Sequence, residues 1–202
     1  VMTPAQRHLV VMAKAPRMGR VKTRLAADIG TLAAWNFYRR TLARVVRPLA
    51  RDPRWTLWLA VNPDATVTDD QLWPVRSRRI TQGDGDLGRR MARVMAVMPT
   101  GPVVIIGADI PGIRPCHIWQ AFKAMGRHDA VFGPAADGGY WLVGQRRTPR
   151  MADIFQNVRW SSADALADTR ANLPTGWRVH TLGILTDVDD GPTCAAMGRQ
   201  DT

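Results

Sequence analysis

The chain has 202 residues, 46% of them apolar and 22% charged, a composition that suits one globular domain over 1–202 with a sizeable core. Its formal charge of +11 points to an anionic partner, but the basic residues run from Arg7 to Arg199 with no basic tail and no aromatic–basic interleaving, which argues against a nucleic-acid module. Apolar runs such as "VVII" fall far short of the ~20 residues that span a bilayer, so no membrane insertion is expected and the cytoplasm is the expected location.

Strand and helix signals alternate along the chain. The opening "VMTPAQRHLVVMA" has too short an apolar core for a signal peptide, and "HLVVMA" (8–13) reads as a buried strand. "RVKTRLAAD" has helix-forming character and stops at Gly30. From Thr31 to about Arg47, one face carries Trp35, Tyr38, Leu42, Val45 and Leu49, and Pro48 is expected to close that helix. "WTLWLAV" (55–61) and "RRITQ" (78–82) predict two further strands. Asp86 is placed to cap a helix whose buried stripe is Leu87, Met91, Val94 or Met95, and Met98. "PVVIIG" (102–107) reads as a fully buried strand, and Pro115 to Gly126 as a helix. "DAVFG" (129–133) and "GYWLVG" (139–144) lie too close together for a helical crossover, so one of them runs antiparallel to the rest. Ser161 to Asp164 has a capping-box pattern that opens a helix to about Leu173, and "WRVHTL" (177–182) predicts a late strand. The expected fold is therefore α/β, with helices on both faces of a mainly parallel sheet and ligands at the carboxyl ends of its strands.

Cys116 and Cys194 have no metal-ligand spacing and are expected to be buried thiols. The four histidines suggest no ligand set. Trp35 and Trp73 are expected on exposed faces, and nothing in the sequence sets the oligomeric state.

Four segments at strand ends are chemically dense. "MAKAPRMGRVKTRLAADIG" (12–30) gathers Lys14, Arg17, Arg20, Lys22 and Arg24 around Gly19, which suits a polyphosphate as well as a solvated basic turn. The chain has 25 Arg and only 3 Lys, and two of those Lys are Lys14 and Lys22. Lysine is a compact point charge, not interchangeable with the planar arginine fork. In "TQGDGDLGRRM" (81–91), Gly83, Gly85 and Gly88 permit close approach to a base or sugar, or serve only to turn the chain. In "VVIIGADIPGI" (103–113), Asp109 sits past the end of a buried strand, where it would hold Mg²⁺ or cap the next turn. "GPAADGGYWLVG" (133–144) carries the hairpin-like Asp137-Gly138-Gly139, and "ILTDVDDGP" (184–192) crowds Asp187, Asp189 and Asp190 together.

In order, "KAPRMGRVKTRLAADIG", "GDGDLGRRM", "GADIPGI", "GPAADGGYWLVG", "RWSS" and "LTDVDD" resemble one family over roughly residues 8–192. It is the bacterial rSAM/selenodomain-associated transferase family, of the GT-A or nucleotide-diphospho-sugar transferase superfamily. The resemblance implies a three-layer α/β/α Rossmann-like GT-A fold, with a mainly parallel mixed sheet containing one antiparallel strand. It further implies a nucleotide held by Lys14, Gly19, Arg20, Lys22, Arg24, Gln82, Gly83, Gly85 and Gly88. Asp109 with Asp187 or Asp189 would hold Mg²⁺ or Mn²⁺, and Asp137, Gly138, Gly139, Tyr140, Trp160 and Ser161 would face the acceptor. Lys22, Asp109 and Asp137 are the implied catalytic groups. The implied reaction is nucleotidyl transfer from a nucleoside triphosphate to a small phosphorylated or hydroxyl acceptor. The alternatives are glycosyl transfer from a nucleotide sugar and nucleotide binding without catalysis. Relatives in the superfamily carry "AAGxGxR" where this chain has "AKAPRMGR", and an acidic "DxDTPEDL" where it has "DVDDGPTCA".

Overall fold

The computed structural model describes residues 6–147 and 151–186. Its elements run β1 (His8–Lys14), α1 (Thr23–Ile29), α2 (Thr31–Ala50), β2 (Thr56–Asn62), β3 (Arg78–Thr81), α3 (Leu87–Val97), β4 (Val103–Gly107), α4 (Pro115–Ala124), β5 (Ala130–Pro134), β6 (Tyr140–Gln145), α5 (Ala165–Ala171) and β7 (Val179–Thr181). The strands form one sheet in the order β3-β2-β1-β4-β6-β5-β7. β6 is antiparallel to both β4 and β5, and every other pairing is parallel. The short 135–139 link between β5 and β6 leaves no room for a crossover, so β6 has to run back along β5.

Side chains alternate across each strand, and in β1, β4, β5 and β6 both faces are buried. Leu9, Val11, Val104 and Ile106 face Leu42, Val45 and Leu49 of α2 and Ile118 and Phe122 of α4. Val10, Val103 and Ile105 face Met91, Val94 and Met95 of α3, with Phe132, Val143 and Ile154. This two-sided burial explains why the strands read as near-continuous apolar runs. Each fully buried aliphatic side chain contributes about 1.5–3 kcal/mol of transfer free energy.

Several expectations need correction. α2 continues through Pro48 to Ala50. Leu49, the last residue of that apolar stripe, is fully buried, and its burial offsets the ladder bond lost at the proline. Trp73 is buried, with its Nε1 donating to the Thr66 carbonyl at 3.0 Å, and Trp35 is half-buried. Cys116 is exposed on α4, because its neighbour Ile118 faces the core; Cys194 lies outside the described residues. Parallel pairing of β5 with β7 places Val131 opposite His180, and the His128 and His180 rings come to 5.1 Å. No group of three His, Cys, Asp or Glu gathers among the described residues. None of their helices is long and apolar enough to cross a membrane.

At the start of α3, Asp86 accepts a hydrogen bond from Arg89 N at 2.8 Å, the N-cap read from the sequence. Gly88 follows inside the helix. A Cβ there would lie 2.7 Å from the Phe155 carbonyl oxygen and 2.8 Å from the Trp160 ring. Gly88→Ala gains about 1 kcal/mol of helix propensity but overpacks this contact at about 1–3 kcal/mol. The expected outcome is a lower urea midpoint with altered tryptophan fluorescence; a stabilised variant would show that the packing is looser than this.

The chain leaves β1 for β2 and β3 on one side, then returns to β4 on the other side of β1. That reversal opens a crevice between the carboxyl ends of β1 and β4, where open α/β sheets place their ligands.

Candidate functional site

β1 outruns β4. On the β2 side its pairing continues to Lys14 opposite Asn62, whereas on the β4 side it ends with Met12 opposite Gly107. Where β4 has stopped, the buried hydroxyl of Tyr38 takes the place of the ladder. It accepts from the Lys14 N–H at 3.0 Å and donates to the Lys14 carbonyl at 2.8 Å. Burial raises the Tyr38 pKa well above its usual value and the Asp109 charge adds to this, so the hydroxyl stays protonated. One turn earlier on α2, Trp35 Nε1 donates to the Pro16 carbonyl at 2.5 Å. These two aromatics fix the backbone from which the cationic loop departs.

The loop then turns. Arg20 N donates to the Arg17 carbonyl at 3.0 Å across Gly19, which has φ +73°. Lys22 precedes α1 at φ 47°, ψ 49°, a left-handed conformation that costs a non-glycine residue of order 1–3 kcal/mol. Its side chain is only 7% exposed, and Nζ lies 3.1 Å from Asp109 Oδ2. Asp109 stands two residues past the end of β4, its carboxylate 41% exposed. A Cβ at Gly107 would lie 2.9 Å from Asp109 Oδ1, so the glycine leaves room for the carboxylate to fold back over the strand end.

Both groups open on to a cavity of about 460 Å³, which Lys14, Asp137, Gly139, Tyr140, Trp160 and Ser161 also line. The β5–β6 hairpin brings Asp137 there, with Oδ1 accepting from Gly139 N at 2.9 Å. Gly138, at φ +87°, presses against the 161–164 turn and accepts from Leu166 N at 3.2 Å. That turn does not form the predicted capping box. Ser161 adopts φ +59°, and Ser162 Oγ donates to the Arg159 carbonyl and accepts from Asp164 N. Asp164 pairs with Arg159 at 2.7 Å instead of capping α5.

Arg159 also grips Asp168 with two parallel bonds of 2.9 and 2.8 Å, while its own N–H donates to the same carboxylate. These bonds hold the Asp168 carboxyl down to about 2. A depressed pKa means stability that is present above the unfolded value near 3.9 and lost as pH falls toward 2. Asp168→Ala is therefore expected to lower the urea midpoint at neutral pH, with the gap to wild type closing between about pH 4 and pH 2. A gap independent of pH would remove the ion pair as its cause.

Other residues that the sequence singled out lie elsewhere. Gly19, Arg20 and Arg24 sit on the exposed turn and α1, outside the cavity lining. Gln82 is buried, and its Nε2 donates to the Ala60 carbonyl at 2.7 Å. Gly83, at φ +71°, donates its N–H to Asp64 and leaves room for the Arg93 guanidinium, which donates to the Gln82 carbonyl at 2.6 Å. Gly85 has φ +104°, and Gly88 packs against Phe155 and Trp160. Asp187 and Asp189 lie outside the described residues. Sequence reasoning treated Tyr38, Leu87 and Met91 as core stripe, yet all three line the cavity. Only Leu87 carried a signal, since it directly follows the glycine-rich loop.

A magnesium- or manganese-sized ion needs only one or two protein carboxylates when phosphate oxygens and water complete its shell. Two carboxylates, Asp109 and Asp137, in a cavity with two lysines fit an ion carried in on a polyphosphate. They do not fit an ion caged by protein alone.

Residues 45–162 match a family model described as "Uncharacterized protein conserved in bacteria (DUF2064)". No curated protein matches the chain by sequence. Among solved structures, it is similar to a candidate nucleotide-diphospho-sugar transferase from Desulfovibrio desulfuricans G20. That match has a TM-score of 0.88 at 28% identity, over 97% of this chain and 87% of the other. The 4-diphosphocytidyl-2C-methyl-D-erythritol synthase of Anaerococcus prevotii matches at TM-score 0.63 and 8% identity, over 98% and 99% of the two chains. The glucosyl-3-phosphoglycerate synthase of Mycobacterium tuberculosis, solved with Mn²⁺, UDP and glucosyl-3-phosphoglycerate, matches at 0.56 and 12%, over 97% and 77%. The chain thus has the fold shared by nucleotide-diphospho-sugar transferases and nucleotidyltransferases.

Proposed function

We propose that this chain, which belongs to the DUF2064 family of proteins conserved in bacteria, is a divalent-metal-dependent nucleotidyltransferase acting as one domain on a small acceptor. On the six motifs quoted above, we place it with the rSAM/selenodomain-associated transferases. The observation that carries the reading is the Lys22–Asp109 pair at 3.1 Å, in the crevice where the sheet order reverses.

In this reaction an acceptor oxygen attacks the α-phosphorus of a nucleoside triphosphate. The new P–O bond forms as the bond to pyrophosphate breaks, and pyrophosphate carries away the negative charge. Catalysis of this kind is mostly placement and charge neutralisation. Lys22 holds a positive charge at the equatorial oxygens. Its buried stem and left-handed backbone hold the ammonium in place before substrate arrives. Lys14 adds a second charge at the β1 exit. Asp109, with Asp187 or Asp189, would hold Mg²⁺ or Mn²⁺, which supplies further neutralisation of the phosphates. Asp137 lies on the hairpin side, placed to take a proton when the acceptor is a hydroxyl. Gly138, Gly139, Tyr140, Trp160 and Ser161 frame that side, while Gly19, Arg20 and Arg24 offer charge and backbone on the exposed turn and α1, beyond the lining. Gln82, Gly83, Gly85 and Gly88 shape the adjoining loop toward the nucleoside.

The likeness to the D. desulfuricans protein favours a second reading, glycosyl transfer from a nucleotide sugar. The same pair would then neutralise a departing nucleoside diphosphate. Incubation with nucleoside triphosphates or nucleotide sugars, Mn²⁺ or Mg²⁺ and an acceptor pool separates the two. Pyrophosphate release supports nucleotidyl transfer and nucleoside diphosphate release supports glycosyl transfer. Release of neither, with binding retained, leaves a nucleotide-binding protein.

A further inference from the structure

The cavity has two chemically different ends. Lys14, Lys22 and Asp109 make one end ionic, whereas Leu87 and Met91 of α3, with Tyr140 and Trp160, make the other apolar. The apolar end is built. Tyr140 stands edge-on to Phe132 at 5.7 Å and to Trp160 at 6.3 Å, and Trp160 meets Phe155 at 6.4 Å. Thr169 Oγ1 lies 3.3 Å from the Tyr140 hydroxyl, which ties that polar tip to α5, while Tyr140 also lines the cavity. Leu87 is 46% exposed, although it lines this cavity. An exposed leucine in a cavity that half-buried aromatics also line is apolar surface waiting for an apolar partner.

A nucleobase is a poor match for that end. Its ring edge carries several donors and acceptors, and Leu87 and Met91 offer them no partner. The Gln82–Gly85 loop, with its turned backbone, lies outside this lining. Asp137, Ser161 and Ser162 add polar groups to the lining from the hairpin and the turn after Trp160.

We propose that the acceptor is amphiphilic: its reacting oxygen sits at the Asp137–Ser161 rim and an apolar body packs against Leu87, Met91, Tyr140 and Trp160. This rests on the transferase reading of the cavity, and it adds the substrate class. Water-soluble probes that share a head and differ in body test it directly: hexyl phosphate against methyl phosphate, and benzyl alcohol against methanol. Binding is read by tryptophan fluorescence and thermal shift, in wild type and in Leu87→Asp. That substitution places a charge on the apolar wall at a half-exposed position, where folding tolerates it. The expected result is at least tenfold tighter binding of the apolar member of a pair, with the preference largely lost in Leu87→Asp. Equal binding within both pairs, or a preference that Leu87→Asp leaves intact, overturns the proposal. A parallel titration of wild type with nucleoside triphosphate and Mn²⁺ reads the transferase assignment separately, because it does not involve the apolar probes.

Discussion

Turnover is expected to fall by roughly two to three orders of magnitude in both Asp109→Asn and Lys22→Met, the loss seen when one preorganised electrostatic contact to a transition state is removed. Each change keeps the shape of the side chain and removes its charge. The asparagine amide still offers an oxygen to the Lys22 ammonium, and the methionine side chain still fills the apolar path of the lysine stem. Asp109 is 41% exposed, so water solvates it when Lys22 is gone and little stability is at stake. The prediction is therefore a split: product release collapses while the melting temperature moves by no more than a few degrees. Pyrophosphate or nucleoside diphosphate release, measured beside a thermal melt, checks both halves. Wild-type turnover in either variant would remove the mechanism, and a collapse of the melt would make the pair a structural brace instead.

Gly138→Ala is expected to be the most damaging small substitution near the cavity. Its φ of +87° already disfavours a side chain, and a Cβ would fall 2.2 Å from the Ala163 carbonyl oxygen. That neighbour is backbone, so no rotamer change relieves the clash; the β5–β6 hairpin and the 161–164 turn have to separate. Gly176 provides the control, because it has φ +84° with nothing within 4 Å of the added Cβ. Gly176→Ala reports the cost of the backbone conformation alone, about 1 kcal/mol. Gly138→Ala adds overpacking of about 1–3 kcal/mol. Urea unfolding of both variants gives the difference. The same separation moves Asp137 away from Ser161, so acceptor use is expected to suffer in Gly138→Ala and to be normal in Gly176→Ala. Matching midpoints for the two variants would mean that the hairpin and the turn do not touch as described.

Much of this molecule follows from local pattern. The β-branched runs, the aliphatic stripe of α2 and the Asp86 cap are decided within one or two turns of chain. The reversed β6 is decided by the few residues that join it to β5. Other features depend on which elements become neighbours. α2 runs past Pro48 because Leu49 meets the sheet, Trp73 is buried because Thr66 offers it a carbonyl, and Cys116 is exposed because Ile118 takes the core-facing position. Gln82 reads in sequence like the start of a ligand loop, yet its amide donates to a β2 carbonyl that only the folded sheet brings near. Lys22 and Asp109 are 87 residues apart, and each alone is as compatible with a solvated turn as with a site. They meet because β4 returns to lie beside β1, and because β4 ends two residues sooner than β1 and leaves Tyr38 to finish the ladder. Short-range sterics and hydrophobic periodicity are written in neighbouring residues and can be read from them. Strand order comes from the burial of the whole sheet, and the cavity between those two strand ends exists only once that order is set.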